Sequence, residues 1–223
     1  MAVNPSTTDA EHASARRQAT RARLLEAAIA EIGERGYHAT SIEHIAERAG
    51  FTRGAFYSNF DSKEQLFAEA LEAGRRTLVV DLDAQLTVTG LPIGTEGIDQ
   101  VGVEQAVELI LRGLPKETAW YVLNVEADLL AARDPVFAAL TRESATRFLD
   151  DLGQLIERTI AEYGLRFTIE SSQVIRVLFG YFSAALREAV LEGGADDIKR
   201  SVAQRAQTVT RLLIAIVEPI PTD

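Results

Sequence analysis

The chain has 223 residues, of which 47% are hydrophobic and 25% are charged, and it contains no cysteine. This composition is ordinary for a soluble globular protein, and it excludes disulfides and thiolate metal sites. No apolar run approaches the length of a membrane span, and the polar N-terminus lacks the apolar core of a secretory signal. We therefore expect a cytoplasmic protein with no membrane partner.

The net charge of −10 is unevenly distributed along the chain. Residues 1–65 contain 8 basic and 9 acidic side chains, whereas residues 66–223 contain 15 and 24. A contact surface for DNA in the first part could be locally positive, with the acidic remainder held away from the phosphates. The charge alone neither demonstrates nor excludes a nucleic-acid partner.

The N-terminal third predicts three helices after a disordered arm, residues 1–14, which shows no apolar periodicity. The first helix runs from Arg16 to Gly36, with apolar residues at three- and four-residue spacing. A capping box, Thr40-x-x-Glu43, opens a second helix that ends at Gly50. A third follows at residues 53–58. Two short helices joined by a glycine-containing turn indicate a helix-turn-helix.

The rest of the chain also predicts helices, and no alternation is strong enough for a sheet. Either Ser62-x-x-Gln65 or Asp61-x-x-Glu64 caps a fourth helix that extends to about residue 81. Asp134-Pro135 is typical of a helix start, and Gly164 of a helix end. The predicted helices after the fourth are 98–114, 115–133, 135–163, 169–191 and 196–217. We therefore predict an all-α fold of about nine helices.

Residues 36–67 resemble the DNA-binding signature of the TetR family of transcriptional regulators, and close resemblance covers residues 16–70. The matching positions are Gly36, Thr40, Ile45, Ala46, Ala49, Gly50, Gly54, Tyr57, Phe60, Lys63 and Glu64. The resemblance implies a helix-turn-helix domain at residues 15–62 and a helical ligand-binding and dimerisation domain at 63–223. It also implies a homodimeric repressor that leaves a palindromic operator in double-stranded DNA when it binds a small-molecule effector, with no cofactor.

The residues that we expect to contact DNA surround the second and third helices. Arg53 lies near the start of the recognition helix, where side chains reach base edges, and an arginine can bind guanine O6 and N7. Tyr57 supplies a neutral donor for phosphate, and Lys63 lies in a first helical turn, where a cation is disfavoured unless it has an anionic partner. The full expected set is Thr40, Ser41, Thr52, Arg53, Gly54, Tyr57 and Lys63.

The C-terminal part predicts a dimer interface and an effector pocket. One helix-turn-helix reads a half-site, so this architecture needs a second copy. The expected interface residues are Tyr181, Ala185, Val202, Val209, Leu212, Leu213 and Ile216. The expected pocket residues are Trp120, Tyr121, Asn124, Asp128, Phe137, Arg147, Phe148 and Phe179. Large aromatics at helical spacing are usually core, and this alternative stays open for each of them.

Three other functional interpretations remain. An enzyme is disfavoured, because no nucleophile or phosphate-loop motif is present and His12, His38 and His44 lack metal-ligand spacing. We expect no catalytic residue and no metal. A helical adaptor that does not bind DNA would not need Arg53, Tyr57 and Lys63 around one turn. A transcriptional activator of the same fold would have an identical pattern.

Overall fold

The computed structural model describes residues 5–90, 100–113, 118–192 and 208–221, and within them it confirms the all-α class. The elements are α1 (Pro5–Arg35), α2 (Ile42–Arg48), α3 (Arg53–Tyr57), α4 (Lys63–Thr89), α5 (Gln100–Gly113), α6 (Thr118–Arg133), α7 (Pro135–Ala161), β1 (Leu165–Phe167), α8 (Ser171–Glu192), α9 (residues 208–216) and β2 (Val217–Pro219). The sequence also predicts a loop at residues 89–97 and a turn at Gly193-Gly194. Thr89 is the last residue of α4, and residues 91–97, the Gly193-Gly194 turn and Val202 lie outside the described residues.

Helix α1 begins at Pro5 and not at Arg16, so it includes residues 5–14, for which the sequence predicted disorder. Residues 14–19 of this helix are exposed, and apolar periodicity cannot reveal a helical segment that has no buried stripe. The segment Ala10 to Ala19 is nevertheless rich in alanine, arginine, glutamate and glutamine, which are strong helix formers. Intrinsic propensity is therefore the signal that the periodicity argument overlooked.

A two-stranded antiparallel ladder joins β1 to β2, which the sequence did not predict. Arg166 pairs with Glu218 across the ladder at 2.7 Å, and Leu165 and Phe167 on the other face are buried. Three residues per strand are too few to produce a recognisable alternation. The ladder positions the end of α9 beside the turn that follows α7.

Two helix starts were predicted correctly from capping residues. The Asp134 carboxylate accepts hydrogen bonds from the backbone N–H groups of Val136 (2.8 Å) and Phe137 (3.3 Å) at the start of α7. Of the two predicted caps of α4, the structure shows Ser62, because the Ser62 hydroxyl accepts a hydrogen bond from the Gln65 N–H at 3.1 Å. The helix continues to Thr89, beyond the expected residue 81.

The chain divides into two compact units. Unit 1 is Met1–Ala73 with Val122–Thr141, and unit 2 is Gly74–Tyr121 with Arg142–Asp223. The core of unit 1 contains Leu24, Ala27, Ala28, Ile45, Ala49, Phe56, Phe60 and Leu66. A column of stacked rings extends this core: Tyr37 stacks on Phe67 at 5.1 Å, and Phe67 stacks on Phe137 at 5.3 Å.

Unit 2 has a separate apolar core built from α4, α5, α7, β1 and α8. Its buried members include Leu82, Leu86, Phe148, Leu152, Ile156, Leu165 and Val174. Across the residues that the structure describes, no helix is long and apolar enough to cross a membrane.

Candidate nucleic-acid interface and an apolar cavity

The start of α2 is capped one residue later than the sequence predicted. The cap is Ser41, whose hydroxyl accepts from the His44 N–H at 3.1 Å, while His44 Nδ1 accepts from the Ser41 N–H at 3.4 Å. The predicted box of Thr40 with Glu43 is wrong, because the Thr40 hydroxyl instead points to the carbonyls of Glu31 and Gly36 at the end of α1. Thr40 is buried, and Ser41 is the partly exposed hydroxyl at this corner.

A four-residue turn, Ala49 to Thr52, connects α2 to α3. Gly50 has φ +73°, a left-handed conformation that a side chain would strain, and a Cβ there would lie 3.0 Å from a guanidinium nitrogen of Arg23. Thr52 then caps α3, accepting from the Ala55 N–H at 3.3 Å. The turn thus sets the direction of α3, and Phe56 anchors that helix in the core with no exposed surface.

Two other side chains of α3 are open to solvent. The Arg53 side chain is 61% exposed and Tyr57 is 48% exposed, one helical turn apart. Arg53 Nη2 lies 3.4 Å from the Tyr57 hydroxyl, and its Cζ lies 5.5 Å from the ring centroid. The structure therefore brings Thr52, Arg53 and Tyr57 onto one exposed helix.

Gly54 lies on this helix beside Arg53 and has room for a side chain. A Cβ built there would be 3.7 Å from the Thr52 hydroxyl, which is an ordinary van der Waals contact. Packing within the chain therefore does not require glycine at this position. Glycine would be required here only if a molecule outside the chain closely approached the backbone of α3.

Glu43 of α2, which the sequence pattern placed only in a capping box with Thr40, also lies at this surface. Its Oε1 lies 2.6 Å from Arg53 Nη1, and its side chain is 53% exposed. The bond to Tyr57 and the charge of Glu43 raise the pKa of Arg53, and a hydrogen bond from its own backbone N–H lowers the pKa of Glu43. Sequence spacing could not show this pair, because the turn decides which α2 side chain reaches α3.

Lys63 has internal partners that the sequence argument did not anticipate. Its ammonium group donates to the carbonyls of Tyr37 (2.9 Å) and Thr40 (2.8 Å), and it lies 4.0 Å from the Tyr37 ring centroid. Burial lowers its pKa, which the neighbouring Glu64 partly offsets. An anion is therefore not needed to explain a cation in the first turn of α4, and that inference is corrected. One ammonium proton remains beyond these two bonds.

The arginines of α1 support this surface from within unit 1. Arg21 bonds to the Asn59 carbonyl and to Glu69, and its guanidinium lies 4.3 Å from the Phe60 ring centroid. Arg23 stacks over Phe51 at 4.7 Å. Their contacts attach α1 to the ends of α3, so at least part of the basic character of α1 is structural.

Unit 2 contains an apolar cavity of about 100 Å³. Its lining comes from α4, α5, α7, α8 and α9, and among the described residues that line it the Tyr181 phenol is the one polar side chain. The lining residues are Leu82, Val107, Ile110, Leu152, Ile156, Ile175, Leu178, Phe179, Tyr181, Phe182, Ala185, Val209 and Leu213. Apart from Phe179, none of these was on our expected pocket list, because aliphatic lining and ordinary core have the same sequence pattern.

The expected pocket residues are dispersed. Phe148 packs edge-on against Phe179 at 5.5 Å, immediately behind the cavity wall. Trp120 lies against the Cα of Gly74, and Tyr121 packs beside Leu186 and Phe182 in unit 2. In unit 1, Phe137 is fully buried in the ring column, Asn124 is partly buried and Asp128 is exposed. Arg147 forms an exposed ion pair with Glu143 at 2.9 Å.

The expected interface residues of α8 and α9 separate into two groups. Tyr181, Ala185, Val209 and Leu213 line the cavity. Leu212 is 43% exposed, and Ile216 is partly buried against the core of unit 2.

Comparisons with known proteins agree with this geometry. Residues 24–70 match the family model described as bacterial regulatory proteins, tetR family. The Escherichia coli (strain K12) protein named "Probable acrEF/envCD operon repressor" is 46% identical over 50 residues, 22% of this chain and 23% of that protein. The transcriptional activator FasR of Mycolicibacterium smegmatis is 29% identical over 142 residues, 64% of this chain and 61% of FasR.

Sequence similarity covers only part of the first relatives found, from 27% to 61% of their lengths. Structural similarity extends further. A TetR transcription regulator from Haloarcula marismortui superposes with a TM-score of 0.62 at 20% identity, over 89% of this chain and 98% of that one. Residues 24–70 therefore match the tetR family of bacterial regulatory proteins, and the chain shares the fold of a solved TetR regulator.

Proposed function

We propose that this protein is a sequence-specific DNA-binding transcriptional regulator, and not an enzyme. The observation that carries the proposal is α3: Phe56 anchors it in the core, while Arg53 and Tyr57 project into solvent beside a glycine that packing does not require. A helix that enters the major groove needs a buried inner side and an exposed polar outer side. Binding to an operator would place the protein in the cytoplasm.

Each exposed group has a contact that suits it. Arg53 reads guanine through O6 and N7, and Thr52 contacts a base edge or a phosphate at the start of α3. The Tyr57 hydroxyl donates to a backbone phosphate, and the Ser41 hydroxyl does so when it turns away from Glu43. Gly54 allows the backbone of α3 to approach the DNA. Lys63 can offer its remaining proton to a phosphate. Thr40 supports this contact indirectly, since its hydroxyl is already bonded within the protein.

Substitution of Arg53 tests the DNA contact. We would use the purified protein to isolate a preferred duplex from a pool of randomised sequences. The affinity of the Arg53→Ala protein for this duplex would then be compared with that of the wild type. Loss of a bidentate guanine contact should weaken binding by about 5- to 150-fold. The matched control is Arg158→Ala, because Arg158 is equally exposed (63%) and pairs with Asp83 at 2.8 Å in unit 2. Equal affinities for both variants would remove Arg53 from the interface.

Dimerisation is the second part of the proposal. Two copies would present two recognition helices to half-sites about 34–36 Å apart, and a palindromic operator follows from their two-fold symmetry. Apolar side chains exposed on α8 and α9 support such an interface, since large unpartnered apolar surfaces mark interaction sites. These are Val177, Leu191, Leu212 and Ile214.

A charge placed on this surface should separate the copies. Leu212→Glu is expected to shift sedimentation from dimer to monomer and to weaken operator binding at the same protein concentration. Val88→Glu introduces the same charge at an 88% exposed position of α4 and should leave the dimer intact. A Leu212→Glu protein that sediments as a dimer would place the interface elsewhere.

The third part is a response to an effector in the cavity. The described lining is hydrocarbon except for one phenol, so an uncharged, mostly apolar molecule fits it, and a charged group would lose hydration without compensation from these residues. Binding there would favour a state with a different spacing of the recognition helices, and operator affinity would fall by the coupling energy. We expect 1-octanol to bind more tightly than octanoate in calorimetry, and the reverse order would exclude this class of effector.

Regulation in either direction is compatible with this geometry, and the relatives include a protein named as a repressor and one named as an activator. We propose repression, in which the bound dimer is released by its effector. An activator is the second candidate, because FasR aligns over 64% of the chain. A reporter gene behind a promoter that contains the preferred duplex separates the two: the protein lowers expression as a repressor and raises it as an activator.

A further inference from the structure

Three side chains form a connected group on the exposed surface of α2 and α3, which we call the Glu43–Arg53–Tyr57 cluster. Glu43 Oε1 lies 2.6 Å from Arg53 Nη1, and Arg53 Nη2 lies 3.4 Å from the Tyr57 hydroxyl. All three are about half exposed or more. The cluster therefore includes a carboxylate on the surface that would meet a polyanion.

The carboxylate of Glu43 is fixed on α2 as well as paired with α3. It accepts from its own backbone N–H and from Ser41, and together with Arg53 these contacts keep the pKa of Glu43 below 4.5 despite some desolvation. Glu43 is therefore ionised at neutral pH. It stays in place when Arg53 moves, since its other contacts lie on its own helix.

Glu43 holds Arg53 through one Nη1 proton, and a guanidinium has five N–H groups, so Arg53 can bond guanine with this ion pair intact. To bind a phosphate instead, Arg53 has to turn away from Glu43. The carboxylate is then unpaired in front of the duplex and is repelled by its phosphates. This loss does not arise where Arg53 bonds guanine and keeps the pair.

We propose that Glu43 is a specificity-determining residue, which holds Arg53 away from non-cognate DNA through the 2.6 Å contact and weakens binding to every duplex that lacks the guanine read by Arg53. This inference rests on the proposed function, because it presupposes sequence-specific binding through α3. It adds a residue that contributes by repulsion, which raises discrimination without raising affinity.

Two other roles of Glu43 give different expectations. A carboxylate that accepts directly from cytosine N4 would increase affinity for the preferred duplex and for one base in it. A purely structural link between α2 and α3 would affect stability and both kinds of DNA alike. The affinities for preferred and non-preferred DNA therefore distinguish the three roles.

The test compares Glu43→Gln with Glu47→Gln, an equal change of charge at an exposed glutamate one turn further along α2. Band shifts use the duplex preferred by the wild type and a duplex with the same bases in shuffled order, at about 50 and 200 mM salt. Freed from Glu43, Arg53 should gain one phosphate contact on the shuffled duplex. The salt slope should steepen by about 0.9, a difference of about 3.5-fold between the two salt concentrations.

The expected result is a several-fold tighter complex of Glu43→Gln with the shuffled duplex, little change with the preferred duplex, and near wild-type behaviour of Glu47→Gln. Equal effects of the two variants on the shuffled duplex would overturn the proposal. The proposal would also be overturned if Glu43→Gln bound the preferred duplex more weakly and discriminated less at one base. That result would mean that Glu43 contacts the base directly. A wild type that prefers no sequence would instead contradict the proposed function. Glu43→Ala also removes the carboxylate, and it must tighten binding to the shuffled duplex as Glu43→Gln does.

Discussion

Replacement of Gly54 by alanine should change stability and DNA binding in opposite directions. The backbone of α3 at Gly54 is helical, and an added Cβ would have no contact closer than 3.7 Å. Alanine also restricts the unfolded chain more than glycine does. We therefore expect Gly54→Ala to stabilise the free protein while it obstructs the approach of α3 to DNA.

The two magnitudes can be estimated separately. A glycine-to-alanine change at a compatible helical position stabilises by about 0.4–1 kcal/mol. An extra methyl group in a close-packed interface costs about 1–3 kcal/mol. The second range corresponds to about a 5- to 150-fold loss of operator affinity.

Urea unfolding followed by circular dichroism gives the stability, and band shifts with the preferred duplex give the affinity. Gly180→Ala is the matched control: an added Cβ at Gly180 in α8 meets no atom within 4 Å. It should stabilise similarly and leave DNA binding unchanged, with sedimentation used to verify its oligomeric state. Gly54→Ala with wild-type affinity would refute the close approach, and a destabilised Gly54→Ala would show that the helix itself requires glycine.

Three further substitutions test unit 1 and the cavity. Tyr37→Phe removes the 2.7 Å bond that the buried phenol donates to Glu64, and should destabilise by about 0.5–1.5 kcal/mol in urea at pH 7. Burial opposes ionisation of Glu64, but hydrogen bonds, of which the one from Tyr37 is the largest, lower the pKa of Glu64 below 4.5. The ionised carboxylate therefore stabilises the folded state above that pH. This contribution disappears as the pH falls through the lowered pKa, and the two proteins should converge in acid; a constant difference would contradict the linkage. Phe137→Ala should cost about 3–5 kcal/mol, whereas Val136→Ala, 69% exposed, should change stability by less than about 0.5 kcal/mol; a small effect of Phe137→Ala would mean that the ring column is not a core. Val107→Phe, which fills the cavity, should abolish calorimetric binding of 1-octanol without weakening operator binding, and retained binding would place the ligand elsewhere.

Local signals in the sequence determined much of the DNA-binding end. The Asp134 and Ser62 caps, the turn at Gly50 and the buried positions Ile45 and Phe56 all follow from interactions within a few residues. Helix caps and apolar periodicity depend on neighbours in the chain, so one sequence suffices to predict them. The exposure of Arg53 and Tyr57 is read from the structure, because their helical spacing does not place them opposite Phe56.

Contacts between distant segments were decided only by the tertiary structure. Thr40 matched a capping box locally, yet the carbonyls at the end of α1 attract its hydroxyl and leave the cap to Ser41. Lys63 suggested an external anion until the Tyr37 and Thr40 carbonyls were placed beside it. The Glu31 carbonyl lies nine residues before Thr40 and the Tyr37 carbonyl 26 residues before Lys63, so no local pattern could reveal these hydrogen bonds.

The position of the cavity and the ion pair of Arg53 with Glu43 were likewise decided only by the tertiary structure. Aliphatic residues such as Val107 and Ile175 have one sequence pattern whether they fill a core or line a void, because hydrophobic burial is not directional. Phe137, whose aromatic ring suggested a pocket, stacks instead in the core of unit 1. The sequence by itself therefore determined most of the helices, while the packing of helices decided where space remains and which carboxylate faces the recognition arginine.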